Sequence, residues 1–178
     1  MRPTELAIAI ALLAVPSVAV AQTAAPADRL ALLAPVLGKW AGTTEGEPGQ
    51  GTVEREYSWI LGGRFIEVRN VSTYPPQAKN PKGERHEDRG VFSYDSARKA
   101  IVFRQFHVEG FVNQYLLDPA STADRLVFTT EAIENIPAGW RARETYAIGA
   151  DTLEEIFELA EPDKAFATYS RNRLTRVK

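Results

Sequence analysis

Residues able to do chemistry concentrate at 104–117, RQFHVEGFVNQYLL, where Arg104, Gln105, His107, Asn113, Gln114 and Tyr115 are interleaved with apolar side chains at the two-residue period of a strand. Glu109-Gly110 reads as the turn of a hairpin. His107 is one of only two histidines in the chain. The other, His86, precedes the turn at 95–98. If that turn pairs Tyr94 with Lys99, His86 lies opposite His107 and Asp88 opposite Gln105, with cross-strand Cβ atoms about 5 Å apart. Two imidazoles and a carboxylate make a ligand set for zinc or non-heme iron, so His86 and His107 are the candidate metal residues. The same register sets Arg89 against Arg104, and a one-residue slip would relieve that repulsion while parting the histidines. A shared metal site and two unrelated sheet histidines both stay open.

Pairing Val108 with Phe111 across the next turn gives two faces. One carries Phe103, Gln105, His107, Val112, Gln114 and Leu116; the other carries Val102, Arg104, Phe106, Asn113, Tyr115 and Leu117. Both are mixed, whereas a strand pair with one wet face segregates cleanly. Either a polar group sits inside a cavity or a partner, such as a second copy in a homodimer, covers the outer face. A buried Arg104 requires a carboxylate, for which Glu67 and Glu144 stand at suitable alternation.

Other chemistries lack their signatures. There is no G-x-S-x-G elbow, no phosphate-binding glycine loop and no H-E-x-x-H. The absence of cysteine excludes thiolate catalysis and cysteine metal sites. A net charge of −2, with basic and acidic residues intermixed, gives no footprint for nucleic acid or an anionic membrane. Acid–base chemistry on His107 with Asp88 or Tyr115, as in a lyase or isomerase, rests on residue type alone.

The elements that must position these residues are strands. Residues 1–21 read as a signal peptide, with Arg2, an apolar run at 6–20 and Ala19-Val20-Ala21 as cleavage site, which predicts a periplasmic or secreted protein with no stable membrane insertion after cleavage. Residues 22–36 form a lead and a short helix at 29–37, capped by Asp28 and striped by Leu30, Leu33 and Val36 or Leu37. From residue 37 to 178 the pattern is short alternating segments separated by Gly, Pro, Asn and Asp turns. The longest connection, 75–84, suits a lid or a plain solvated loop. About ten strands joined by short connections predict an all-β protein, a closed up-and-down antiparallel barrel. That is wider than the roughly eight-strand barrel that side chains can fill, so a cavity is expected. Trp40 and Trp59, with Trp140 and several phenylalanines, are expected inside.

LGKWAG at 37–42, the Gly62-Gly63-Arg64-Phe65 turn, HEDRGVFSYD at 86–95 and RQFHVEGFVNQY at 104–115 resemble the calycin group of lipocalins, fatty-acid-binding proteins and nitrobindin-type heme-binding β-barrels, most of all bacterial members of the last type. The resemblance implies a barrel with an interior ligand. In the nitrobindin type a histidine near the C-terminus holds heme iron, but residues 166–178 contain none, so heme here would need His107 or His86. In the fatty-acid-binding type an Arg and a Tyr hold a carboxylate; Arg143, Tyr146, Tyr169 and Arg171 offer that chemistry in a different order. The expectation is therefore an exported barrel for a small hydrophobic or amphipathic molecule. Arg104, His107, Asn113 and Tyr115 would orient the ligand, and Trp40 and Trp59 would pack on it. A heme or metal protein using His107, with or without His86, is the alternative.

Overall fold

The computed structural model describes residues 29–178. The expected signal peptide, lead and Asp28 cap lie outside the described residues. Ten strands follow one short helix: β1 Gly38–Gly46, β2 Gly49–Ile60, β3 Phe65–Tyr74, β4 Glu84–Asp95, β5 Ala100–His107, β6 Val112–Leu117, β7 Arg125–Glu134, β8 Arg141–Ile148, β9 Thr152–Ala160 and β10 Ala167–Arg176. Each strand pairs antiparallel with the next, and β1 pairs with β10 from Trp40 opposite Arg176 to Gly46 opposite Ser170, closing the barrel. This is the fold expected from the turn rhythm, and closure leaves no edge strand exposed. Among the described residues, no helix is long and apolar enough to cross a membrane.

The helix is 3-10, Ala31–Val36, shorter and tighter than the α-helix expected at 29–37. Leu30, Leu33 and Val36 recur every third residue, which suits three residues per turn, and all three are fully buried in one end of the barrel. Two contacts fasten this plug. Trp40 Nε1 donates to the Val36 carbonyl at 2.7 Å, and Arg176 lies over the Trp40 ring while donating to the carbonyls of Leu37 at 2.6 Å and Pro35 at 2.8 Å.

Aromatic rings fill the barrel above the plug. Phe92 and Phe103 stack with centroids 4.0 Å apart, Tyr115 continues the stack at 5.4 Å, and Phe128 meets Phe103 edge-on at 5.8 Å. Gly90 makes room: a Cβ there would lie 2.2 Å from the Phe103 ring.

Two registers differ from expectation. In the β4–β5 pair Asp95 faces Ala100 and Asp88 faces His107, so Arg89 opposes Phe106 and Arg104 opposes Val91; the two arginines never meet. Asp95 Oδ1 accepts from the N–H groups of Ala97 and Arg98, and Lys99 turns with φ 55°, so that the hairpin closes on Asp95 and Ala100, each one residue further along the chain than the expected pair. The shift of two positions keeps faces unchanged and leaves the histidines diagonal neighbours. In the β5–β6 pair Phe106 faces Val112, one residue away from expectation. The connection is a three-residue loop, with Gly110 N–H donating to the His107 carbonyl at 2.9 Å and Gly110 at φ 91°. That single slip turns β6 over. Gln105, His107, Asn113 and Tyr115 share the interior with Phe103, while Arg104 and Gln114 face outward with Phe106 and Val112.

Candidate site in the barrel interior

A cavity of about 620 Å³ occupies the end of the barrel opposite the plug. Pro48, Phe111, Ile136, Trp140, Leu159 and Tyr169 line its upper wall, supplied by strand ends and hairpin connections. No residue of 75–83 lines it. The side chain of Gln77 in that connection instead accepts from Gln50 N–H and donates to the Gln50 carbonyl, both at 2.9 Å, which ties the loop to the wall as a brace rather than a lid.

The floor is polar because almost every strand turns one hydrogen-bonding side chain inward at the level where the aromatic core ends. Starting on β10, Asn172 Nδ2 donates to Glu155 Oε2 at 3.3 Å, and Glu155 takes an ion pair from Arg55. Arg55 Nε donates to Asn70 Oδ1 at 2.9 Å, Asn70 Nδ2 to Asp88 Oδ2 at 2.8 Å, and Gln105 Nε2 to Asp88 Oδ1 at 3.0 Å. Tyr115 Oη then donates to Gln105 Oε1 at 3.3 Å and accepts from Asn113 Nδ2 at 2.8 Å. The run crosses seven strands and ends on an asparagine at either side. At both ends the amide oxygen, Asn113 Oδ1 and Asn172 Oδ1, is buried with no partner. A buried acceptor left unpaired costs roughly 1–3 kcal/mol.

Glu144 on β8 belongs to the same layer and accepts from Tyr146 Oη at 2.7 Å. Burial, reinforced by the neighbouring Glu155 charge, pushes its carboxyl up to about 8, so at neutral pH it carries a proton. Asp88 behaves oppositely. Its burial opposes ionisation, but hydrogen bonds from His86 and Gln105 and the charge of Arg55 hold it below the ordinary carboxylate range.

Above the floor stand the two histidines. His107 Nδ1 faces His86 Nε2 at 3.4 Å, and the His107 ring stacks on Phe111 with centroids 4.0 Å apart. His86 Nδ1 meets Glu109 Oε1 at 2.8 Å, while its Nε2 stands 3.4 Å from Asp88 Oδ2. His107 Nε2 lies 3.2 Å from Asn113 Nδ2. Burial depresses His86, but the hydrogen bonds and charges of Asp88 and Glu109 outweigh it and raise the ring to about 9. For His107 burial dominates and the ring falls to about 4, with His86 adding to the fall and Asp88 opposing it. At neutral pH the pair holds a charged His86 beside a neutral His107.

The residues singled out from sequence are thus divided. His107, His86 and Asn113 line the cavity. Tyr115 is wholly buried just below the floor and reaches it through its hydroxyl. Arg104 is exposed on the outer wall, so it does not line the interior, and its expected partners are engaged elsewhere: Glu67 with Arg69 at 2.9 Å and Glu144 with Tyr146. Trp40 is buried at the plugged end and Trp59 is exposed near the end of β2; neither lines the cavity, whose tryptophan is Trp140. The buried arginine is Arg55. It was legible in the sequence as the polar member of the Val53, Arg55, Tyr57 face, just as Asn70 interrupts Ile66 and Val68.

A porphyrin does not fit this donor set. Heme iron needs an imidazole nitrogen with open space on its far side. The ring nitrogens of the two histidines instead face each other, Asp88, Glu109 and Asn113 at 2.8–3.4 Å, so a macrocycle centred on any of them would overlap a neighbouring side chain. On β10, Ser170, Asn172 and Leu174 occupy the inward positions, and none is a heme ligand of the imidazole kind.

No family model matches the chain, and no curated protein matches it. Among solved structures it is similar to the crystal structure of Rv2717c from M. tuberculosis, at 17% identity over 84% of this chain and 98% of that one, with a TM-score of 0.64. That likeness shows the fold, an antiparallel ten-stranded barrel. A de novo designed fluorescence-activating β-barrel matches at 16% identity over 79% of this chain and 93% of that one, with a TM-score of 0.35.

Proposed function

We propose that this chain is an exported barrel that binds one small amphipathic molecule, its apolar body against the upper wall and a hydrogen-bond-donating head on the polar floor. The observation that carries the reading is the make-up of a cavity of about 620 Å³, an apolar upper wall over a floor that includes the carboxylates Asp88 and Glu155 and the amides Asn113 and Asn172. Small-molecule pockets run from about 300 to 1,000 Å³. The cavity's cations are already matched, Arg55 by Glu155 and His86 by Glu109 and Asp88, and Glu144 is neutral, so a bare carboxylate finds no free positive partner there. A hydroxyl, amine or amide head can instead donate to the carboxylate and amide side chains of that floor. Export is inferred from residues 1–21 and the fold domain from 37–178.

Native mass spectrometry with an absorption spectrum, on protein recovered from its own cell envelope, tests this directly. A stoichiometric noncovalent organic adduct is expected. In titrations, a long-chain alcohol should bind more tightly than the fatty acid of equal length, and Ser72→Trp, which fills the cavity wall, should abolish binding of both. Failure of every such probe to bind, together with an adduct-free mass, would overturn the reading.

A further inference from the structure

We propose that His86, His107 and Glu109 form a binding site for one divalent transition cation, zinc in type, at the side of the cavity. One ligating atom from each of the three lies within 4.8 Å of the other two. On a tetrahedral zinc with bonds of about 2.0–2.1 Å, ligand atoms stand about 3.3 Å apart, so closing the set needs shifts on the order of 1 Å. Glu109 is placed to make them, because it sits in the three-residue loop between β5 and β6 and is exposed. The two histidines come from the paired strands β4 and β5, which fix their separation.

What surrounds the three residues completes the case. A histidine that binds metal through one nitrogen carries its hydrogen on the other and needs an acceptor there. For His86, Nδ1 lies beside Glu109, and Nε2 faces Asp88 Oδ2 at 3.4 Å; Asp88 is in turn held by Asn70 and Gln105. For His107, Nδ1 is turned to His86 and lies 3.4 Å from its Nε2, so the shift that closes the set includes a turn of the His86 ring, and Nε2 faces the Asn113 amide at 3.2 Å. With a cation on Nδ1 the hydrogen on Nε2 must be donated. Turning the Asn113 amide over brings its Oδ1, a buried acceptor without a partner, onto that hydrogen. The chemistry of two imidazoles and a carboxylate selects zinc and its neighbours over calcium or magnesium, which prefer all-oxygen ligands. All three ligands line the cavity, so the remaining coordination position opens into it.

The inference does not depend on an organic ligand, and its test uses the cation alone. The full chain, stripped with chelator, is titrated with zinc by calorimetry and with cobalt(II) by visible absorption. One equivalent of zinc and the intense visible bands of four-coordinate cobalt are expected. His107→Gln should weaken zinc more than ~100-fold and Glu109→Gln by ~10–100-fold, whereas Arg104→Gln on the outer wall should leave binding unchanged. Glu109 is a loop residue, and circular dichroism of its variant checks that the fold is kept. Absence of zinc binding to the stripped protein, or an affinity unaltered by Glu109→Gln and His107→Gln, would overturn the site.

Discussion

Arg55 and Glu155, one hundred residues apart in sequence, form an ion pair inside the barrel with both side chains almost fully excluded from water. The pair joins β2 to β9, strands that share no edge, so it spans the interior. Burial opposes the charge on the guanidinium, yet Glu155, with smaller contributions from Tyr57, Tyr146 and Asp88, raises Arg55 above its ordinary value.

Removing one partner should therefore be far more damaging than removing both. Arg55→Met leaves a buried carboxylate beside Asn172 and is expected to cost about 3–5 kcal/mol, whereas Arg55→Met with Glu155→Leu should recover most of that loss. Urea denaturation of the two single variants and the double variant measures the coupling. Additive losses would show that the two charges are independently solvated.

Gly90 offers a test of the aromatic stack. Its missing side chain is the space in which the Phe103 ring lies, so Gly90→Ala sets a methyl group 2.2 Å from that ring. Displacing Phe103 also disturbs Phe92 and Tyr115, between which it is stacked. A loss of about 1–3 kcal/mol is expected, read as a lower denaturation midpoint with an unchanged slope. Gly110→Ala is the contrast: nothing lies within 4 Å of the added carbon, and only the φ of 91° resists it, so the loss should be smaller, about 1 kcal/mol.

The barrel was legible in the sequence because turn residues and alternation recur in every segment, and each hairpin is a local decision. The site was less legible, for a reason that the central hairpin makes plain. Alternation says which residues share a face of one strand, but relating β5 to β6 needs the loop length, and one extra residue at Gly110 moves Asn113 and Tyr115 to the face of His107 and sends Gln114 to that of Arg104. With the shorter Glu109-Gly110 turn expected from sequence, Arg104 shares a face with Asn113 and Tyr115, and this is what makes it a candidate interior cation. Arg55 required no such register, since Val53 and Tyr57 flank it on its own strand. Depth along the barrel was also invisible: Trp40 and Trp59 sit on strands as expected, yet one belongs to the plug and the other to the rim.

Trp140 should report occupancy of the cavity. It alone of the three tryptophans lines that space. Binding of a long-chain alcohol is expected to shift and change the intensity of its emission. Trp140→Phe should remove most of that change, while Trp59→Phe leaves it intact. A ligand-induced signal that survives in Trp140→Phe would place the ligand elsewhere.

Glu144 predicts how stability varies with pH. Its carboxyl titrates at about 8 when folded, against an ordinary value of 4.5, because it is buried and lies near Glu155; Arg55 and Tyr146 favour ionisation but do not prevail. Between those values the unfolded chain has released the proton and the folded chain has kept it. The folded state then binds more protons, so raising the pH through this window destabilises the fold, by up to about 1.4 kcal/mol per pH unit from this group. Below about 4.5 the contribution vanishes, and above about 8 it stops growing. Glu144→Gln keeps an acceptor for Tyr146 and removes the titration. Its stability relative to the parent should therefore rise steadily from pH 5 to pH 8 and then level, as followed by urea denaturation at several pH values. Parallel curves for the two proteins would mean that Glu144 is ionised in the folded barrel.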